Sequence, residues 1–180
     1  MNRKSIFIIA GIIVAAALYR VVPHPYNASP IAAMALFGGY TLRPRWVSAL
    51  LPLAAMLVSD ILLQLISHNG FYGADQFYVY GSFMLINIIG MQMRRTGALN
   101  IGFMSIAGSL LFFFITNFAT WLNQLGMYPH TIAGLTACFI AGLPFLTGTL
   151  MGDLFFNGIF YAIYVSVPGL KVNRTVAVKA

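Results

Sequence analysis

The sequence predicts an all-α integral membrane protein. One transmembrane domain covers residues 1–180, with six spanning helices, both termini inside, and a short re-entrant or interfacial helix before the last span. Three observations predict this. First, 60% of the 180 residues are hydrophobic and 7% are charged, ten Lys or Arg against three Asp. A soluble domain carries about 25% charged residues, so these few charges cannot build a water-facing surface. Second, the apolar residues come in long blocks, as bilayer-crossing helices require. Six spans of about 20 residues use about 120 residues, leaving short loops and no room for an extramembrane catalytic domain. Third, the basic residues fall on alternate connections.

The first block, Ser5 to Val22, follows Arg3-Lys4 and is apolar up to Tyr19-Arg20. Ala15-Ala16-Ala17 could mimic a signal-peptide cleavage site. An uncleaved first helix over 5–22 is preferred, because the rest of the chain is membrane-embedded too. The run Pro23-His24-Pro25-Tyr26-Asn27-Ala28-Ser29-Pro30 ends that helix. A second block follows over 28–41, with Ser29 as N-cap and Pro30 at the first helical position. Its fourteen residues span only about 21 Å, so this helix is expected to be thin, tilted or partly enclosed by protein. Spans over 46–67, 77–92 and 99–122 contain Pro52 with Asp60, Asn87 and Asn117 in turn. The last block, 132–167, has 36 residues and would be about 54 Å long as one helix, against a core of about 30 Å. A break at Gly142-Leu143-Pro144 is therefore expected, dividing it into a re-entrant helix over 132–141 and a sixth span over 144–167.

Orientation follows from the basic residues. With the N-terminus inside, Arg3, Lys4, Arg43, Arg45, Arg94, Arg95, Lys171, Arg174 and Lys179 all fall inside, and of the ten Lys and Arg only Arg20 does not. A net charge of +7 would point to nucleic acid in a soluble protein. Here the charges are spread over separate loops and set topology, so no nucleic-acid partner is expected. The outer loops then carry His24, His68, His130, Asn27, Asn69, Asp75, Asn123, Gln124, Tyr26, Tyr72 and Tyr128. That polar and aromatic face is where a ligand pocket is expected.

Intramembrane charges are costly unless paired. Arg20 and Asp60 both fall in the outer parts of their helices and are expected to form a salt bridge, structural in preference to part of a substrate site or a gate. Asp153 lies near mid-depth beside Gly148, Gly152 and Asn157. An acid there suggests ion coupling or a proton relay, and the plainer reading, which is preferred, is a helix–helix hydrogen bond to Asn87 or Asn117. The three histidines sit on different loops with no metal-ligand spacing, so no metal site is expected. Cys138, the one cysteine, lies in an apolar stretch as a buried thiol and rules out an intramolecular disulfide. Hydrolytic and nucleotide-binding signatures are absent, so no enzyme activity and no cofactor are expected. Small-residue spacings at Gly11-x-x-x-Ala15, Gly134-x-x-x-Cys138-x-x-x-Gly142 and Gly148-x-x-x-Gly152 suit close helix packing. Asn27-Ala-Ser29 and Asn173-Arg-Thr175 match the glycosylation pattern, which is common by chance.

Several stretches together resemble a family. They are Arg20-Val-Val-Pro-His-Pro-Tyr-Asn27, Ser29 to Gly39, Ser59-Asp60, Thr116-Asn-Phe-Ala-Thr-Trp121, Tyr128-Pro-His-Thr131 with Gly134-Leu135, and Leu143-Pro-Phe145 with Gly152-Asp153. From about Arg20 to Phe156 they resemble an uncharacterised family of bacterial six-span membrane proteins. That family is similar to the substrate-binding S components of energy-coupling factor (ECF) vitamin transporters. The resemblance implies a six-helix bundle in the bacterial inner membrane, with an outward pocket for a vitamin or metal-related solute. It implies release by toppling, driven by a coupling subunit with two ATPases, and a coupling face of small residues on the first helix, matched here by Gly11 and Ala15. A solitary cobalamin importer of similar type holds its ligand through an outer cysteine. Cys138 lies elsewhere, so that ligation does not carry over.

The expected function is therefore binding or transport of a small vitamin-like or metal-related solute in the bilayer. The candidate contacts are Arg20, His24, Asn27, Asp60, His68, Asn117, Trp121, Tyr128 and His130, and Asn87, Asp153 and Asn157 form an intramembrane polar set. Two other readings stand beside it. One is a membrane enzyme using Arg20, His24 and Asp60 on a lipid-linked or redox substrate. The other is a structural or assembly subunit of a membrane complex.

Overall fold

The computed structural model describes residues 11, 14–25, 27–93, 97–123 and 127–166. Arg3, Lys4, Tyr26, Arg94, Arg95, Gln124, Lys171, Asn173, Arg174 and Lys179 lie outside them, as do residues 5–10, 12 and 13 of the expected first helix. The regular structure of the described residues is entirely α-helical, in six helices. They are α1 (described over 14–21), α2 (Ile31–Thr41), α3 (Arg45–Ser67), α4 (Asp75–Gln92), α5 (Ala98–Asn123) and α6 (Ile132–Ser166). Three of them, α3, α5 and α6, are long and apolar enough to cross a membrane.

The distribution of side chains fits lipid surroundings. Large apolar groups point outward, with Ile132 85%, Phe77 82% and Leu65 73% exposed. The interior holds Ser48, Ser59, Asp60, Ser82, Asn87, Ser105, Ser109, Thr149, Asp153 and Asn157. Lipid does not drive apolar groups inward as water does, so small and polar residues gather between the helices. Most of the hydroxyls bond a carbonyl one turn earlier in their own helix, as Ser105 Oγ does to Ile101 (2.8 Å) and Thr116 Oγ1 to Phe112 (2.9 Å). Hydrocarbon has no water to satisfy them otherwise.

Helix α2 is the centre of the bundle. Nine of its residues are buried, and it packs on α3, α4, α5 and α6. Its sequence explains this: it has no charge and is apolar or small on every side, which is the pattern of an enclosed helix. Of the three options for this short block, enclosure by protein is the one observed. Gly39 lies against the Asn87 backbone carbonyl and Gly90 against the Leu36 backbone, so α2 and α4 cross at glycines with no room for a methyl group. Asn87 then locks the crossing. Its Nδ2 donates to Ala35 O (2.9 Å) and Ser48 O (3.0 Å), joining α2, α3 and α4.

Two expectations are corrected. Ser29 does not cap α2. Pro30 is the N-cap, without a side-chain cap bond, because the first bond of the helical ladder runs from the Met34 N–H to Pro30 O (2.8 Å), which starts α2 one residue later than expected. More importantly, residues 132–141 are not a separate re-entrant helix. α6 runs unbroken for 35 residues with Pro144 inside it, about 52 Å at the usual rise. The reason lies just before the proline. The Cys138 thiol donates to Asn117 O (3.3 Å), and Gly142 seats against the Asn117 side chain. This clamps α6 along α5 on the N-terminal side of Pro144, and packed neighbours commonly carry a helix through a proline in this way. Pro52 is likewise accommodated inside α3.

Candidate functional site

The geometry of the site starts from Arg20 near the end of α1. Its Nη1 donates to Asp60 Oδ1 (2.7 Å), to Ser59 Oγ and, more weakly, to Met56 O (3.4 Å). The other Asp60 oxygen accepts from Gln76 Nε2 (3.0 Å) and Tyr80 OH (2.7 Å) on α4. The carboxylate is fully buried, so its charge is balanced by one guanidinium and two neutral donors. The ion pair expected from sequence is thus present, and it ties α1, α3 and α4 together. Gly70 folds back onto the Asp60 backbone, with Gln64 Oε1 accepting from the Gly70 N–H (3.1 Å). This brings the 68–74 connection, with Tyr72, over the cluster. Burial pushes the Tyr72 phenol up to about 12, and the negative charge of Asp60 adds to the shift. Tyr72 thus stays neutral through the physiological range.

Beside this cluster is a cavity of about 600 Å³. The exposed connection after α1, with Val22, Pro23 and Asn27, forms its rim, and Phe83, Thr149 and Asp153 lie buried in its wall. Its polar lining is Arg20, His24, Asn27, Ser29, Tyr72, Thr116, Thr149 and Asp153. Met56, Val79, Phe83 and Phe112 give it apolar walls, and the last two rings stack at 5.3 Å and 22°. Ala28 and Ser29 lie against Gly152, so the connection into α2 dips between the helices to reach the neighbourhood of Asp153. Asp153 is 3% exposed and its Oδ2 accepts from Ser109 Oγ on α5 (2.6 Å). One turn further along α6, Asn157 Oδ1 is buried with no partner among the described residues.

The expected contact residues divide into groups. Arg20, His24 and Asn27 line the cavity, and Asp60 sits behind Arg20 outside the lining. His24 is held by its Nδ1 against Val22 O (2.7 Å) and by its ring on Tyr19. The other five do not line it. His68 terminates α3 in the left-handed conformation (φ 56°), an exposed cap. Asn117 bonds Phe113 O (2.8 Å) within α5. Trp121 Nε1 donates to Pro129 O (2.9 Å), and His130 packs on the Trp121 ring with its Nε2 against Trp121 O (3.1 Å). These two, with Tyr128 in the same connection, belong to a clip between the end of α5 and the start of α6. Asp153 pairs with neither Asn87 nor Asn117, whose amides are taken by nearer carbonyls. Gly11 and Ala15 are both exposed on α1.

A family model matches the chain over residues 1–175. The chain belongs to DUF6580, a family of unknown function. No curated protein and no solved structure matches it. For this DUF6580 member the cavity is therefore argued from its residues alone. Sequence reasoning did not place Ser29, Thr116, Thr149, Phe83 or Phe112 in the site, and it put Asp153 at mid-depth without a pocket. One signal was available: Thr149, Asp153 and Asn157 recur every four residues, a polar stripe on one face of α6.

Proposed function

We propose that this protein is a solute-binding or transport protein of the bacterial inner membrane, similar in kind to ECF S components, with the cavity as its outward-facing site. The six helices would then be six spans with both termini inside. The observation that carries the reading is the cavity. Its volume of about 600 Å³ falls within the range of about 300–1,000 Å³ typical of small-molecule sites. Its lining also has the usual make-up, apolar walls with a few convergent polar groups. A vitamin-like organic solute suits the size and apolar walls of the cavity. The exposed Gly11 and Ala15 offer α1 as the face for a coupling subunit with ATPases. The enzyme reading has less support. The Asp60 carboxylate accepts three hydrogen bonds from its own bundle, which leaves it poorly placed as a general base.

The test is mass spectrometry of small molecules co-purified with the protein in mild detergent. A stoichiometric solute is expected, retained less well by Phe83→Trp, whose larger ring narrows the cavity beside Phe112. A folded protein that stays empty under a panel of vitamins would overturn the reading. Stable co-purification with partner proteins and no solute would favour the assembly-subunit alternative.

A further inference from the structure

We propose that the cavity takes its solute as an organic cation, the positive head on Asp153 and the apolar or aromatic body against Phe83 and Phe112. The proposal rests on the solute-binding reading and specifies its substrate class. It follows from charge balance around the cavity. Arg20 is committed to Asp60 at 2.7 Å, with Ser59 as a further acceptor. His24 has one ring nitrogen held by Val22 O at 2.7 Å. Tyr72 is a neutral phenol. α2, α4 and α5 bring no ionisable side chain to the lining. That leaves Asp153, the one carboxylate in the lining.

Asp153 is not matched as Asp60 is. Its described partner is a single neutral hydroxyl, Ser109 Oγ at 2.6 Å on Oδ2, and Oδ1 accepts no hydrogen bond from a described residue. A carboxylate this deeply buried is costly unless protonated or paired with a cation. The walls fit the second alternative. Phe83 and Phe112 line the same cavity as a stacked pair, and aromatic faces attract alkylammonium groups where water is excluded. The N-terminus of α2 also lies near the cavity through Ser29 and Ala32, and its dipole favours an anion. An anionic solute would nevertheless meet the Asp153 carboxylate, and the Arg20 charge, carried on a guanidinium bonded through Nη1, is already balanced by Asp60.

The experiment compares three probes of similar size by isothermal titration calorimetry on the purified full chain at neutral pH. They are benzyltriethylammonium, neutral N,N-diethylbenzamide and anionic 4-phenylbutyrate. The cation is expected to bind at least tenfold more tightly than either other probe. Asp153→Asn, which keeps the shape and can still bond Ser109, is expected to lose that advantage and leave the amide unchanged. Asp153→Glu is expected to restore part of it. Cation binding retained in a folded Asp153→Asn overturns the proposal. Equal or tighter binding of 4-phenylbutyrate or the amide, weakened by Phe83→Trp, also overturns it while the solute site stands. If no probe binds to protein with a normal thermal unfolding transition, the cation proposal fails, and co-purified mass alone then decides the solute-binding reading.

Discussion

Arg20 and Asp60 show how much a few charges can organise in an apolar chain. With three acids and ten bases in the sequence, a buried carboxylate needs a partner, and the arginine at the same depth was readable as that partner. Removing one member leaves the other buried alone, which typically costs about 3–5 kcal/mol. Asp60→Ala is therefore expected to lower the unfolding midpoint in detergent sharply. The paired change Arg20→Met with Asp60→Leu is expected to recover much of the loss. Midpoints for the single and double variants check this, and an additive double variant would contradict it. The histidines were less legible. Composition placed them together on one face, but their roles depend on what each meets. His24 reaches the cavity, His68 ends a helix, and His130 packs on Trp121. Those neighbours are set by tertiary packing and leave no local signal.

At the level of elements, the boundaries of α2 to α5 lie within three residues of the expected spans, because long apolar blocks between Pro, Gly and charge mark helix ends clearly. What sequence did not give was the status of α2 and the continuity of α6. The crossing of α2 and α4 supplies a contrast. Gly39→Val forces side-chain carbon onto the Asn87 carbonyl, an overpacking that costs about 1–3 kcal/mol or more. Gly81→Ala on the same α4 meets nothing within 4 Å and is expected to be neutral or stabilising by up to about 1 kcal/mol. Thermal unfolding of the two variants separates them. Pro144→Ala tests α6. The helix already runs through this position, so helical circular dichroism is expected to stay unchanged; a gain of several residues of helix would reveal a break. Proline alone predicted that break, and the Asn117 contacts that oppose it join residues more than twenty positions apart.

For the whole molecule, the inside-out distribution of apolar groups is what composition implied, and the location of the cavity is what it could not supply. Sidedness is open to direct measurement. Cys138 is buried at 2% exposure and is expected to resist maleimides, so single cysteines can be added to the natural chain. His68→Cys is expected to react with an impermeant maleimide from outside the cell, and Arg43→Cys only after the membrane is opened. The reverse pattern would invert the topology. The short central helix then has an electrical consequence. The connection dips to Gly152 before α2 begins, and α2 has only 11 residues, about 16 Å of helix within a hydrocarbon core of about 30 Å. On the proposed outward-facing orientation, a solute-free cavity filled with water would carry the outside potential down to the first turn of α2. The membrane voltage, about 2.3 kcal/mol per charge per 100 mV, would then fall across one short helix, so the field just beneath Asp153 would be roughly twice as steep as in the surrounding bilayer.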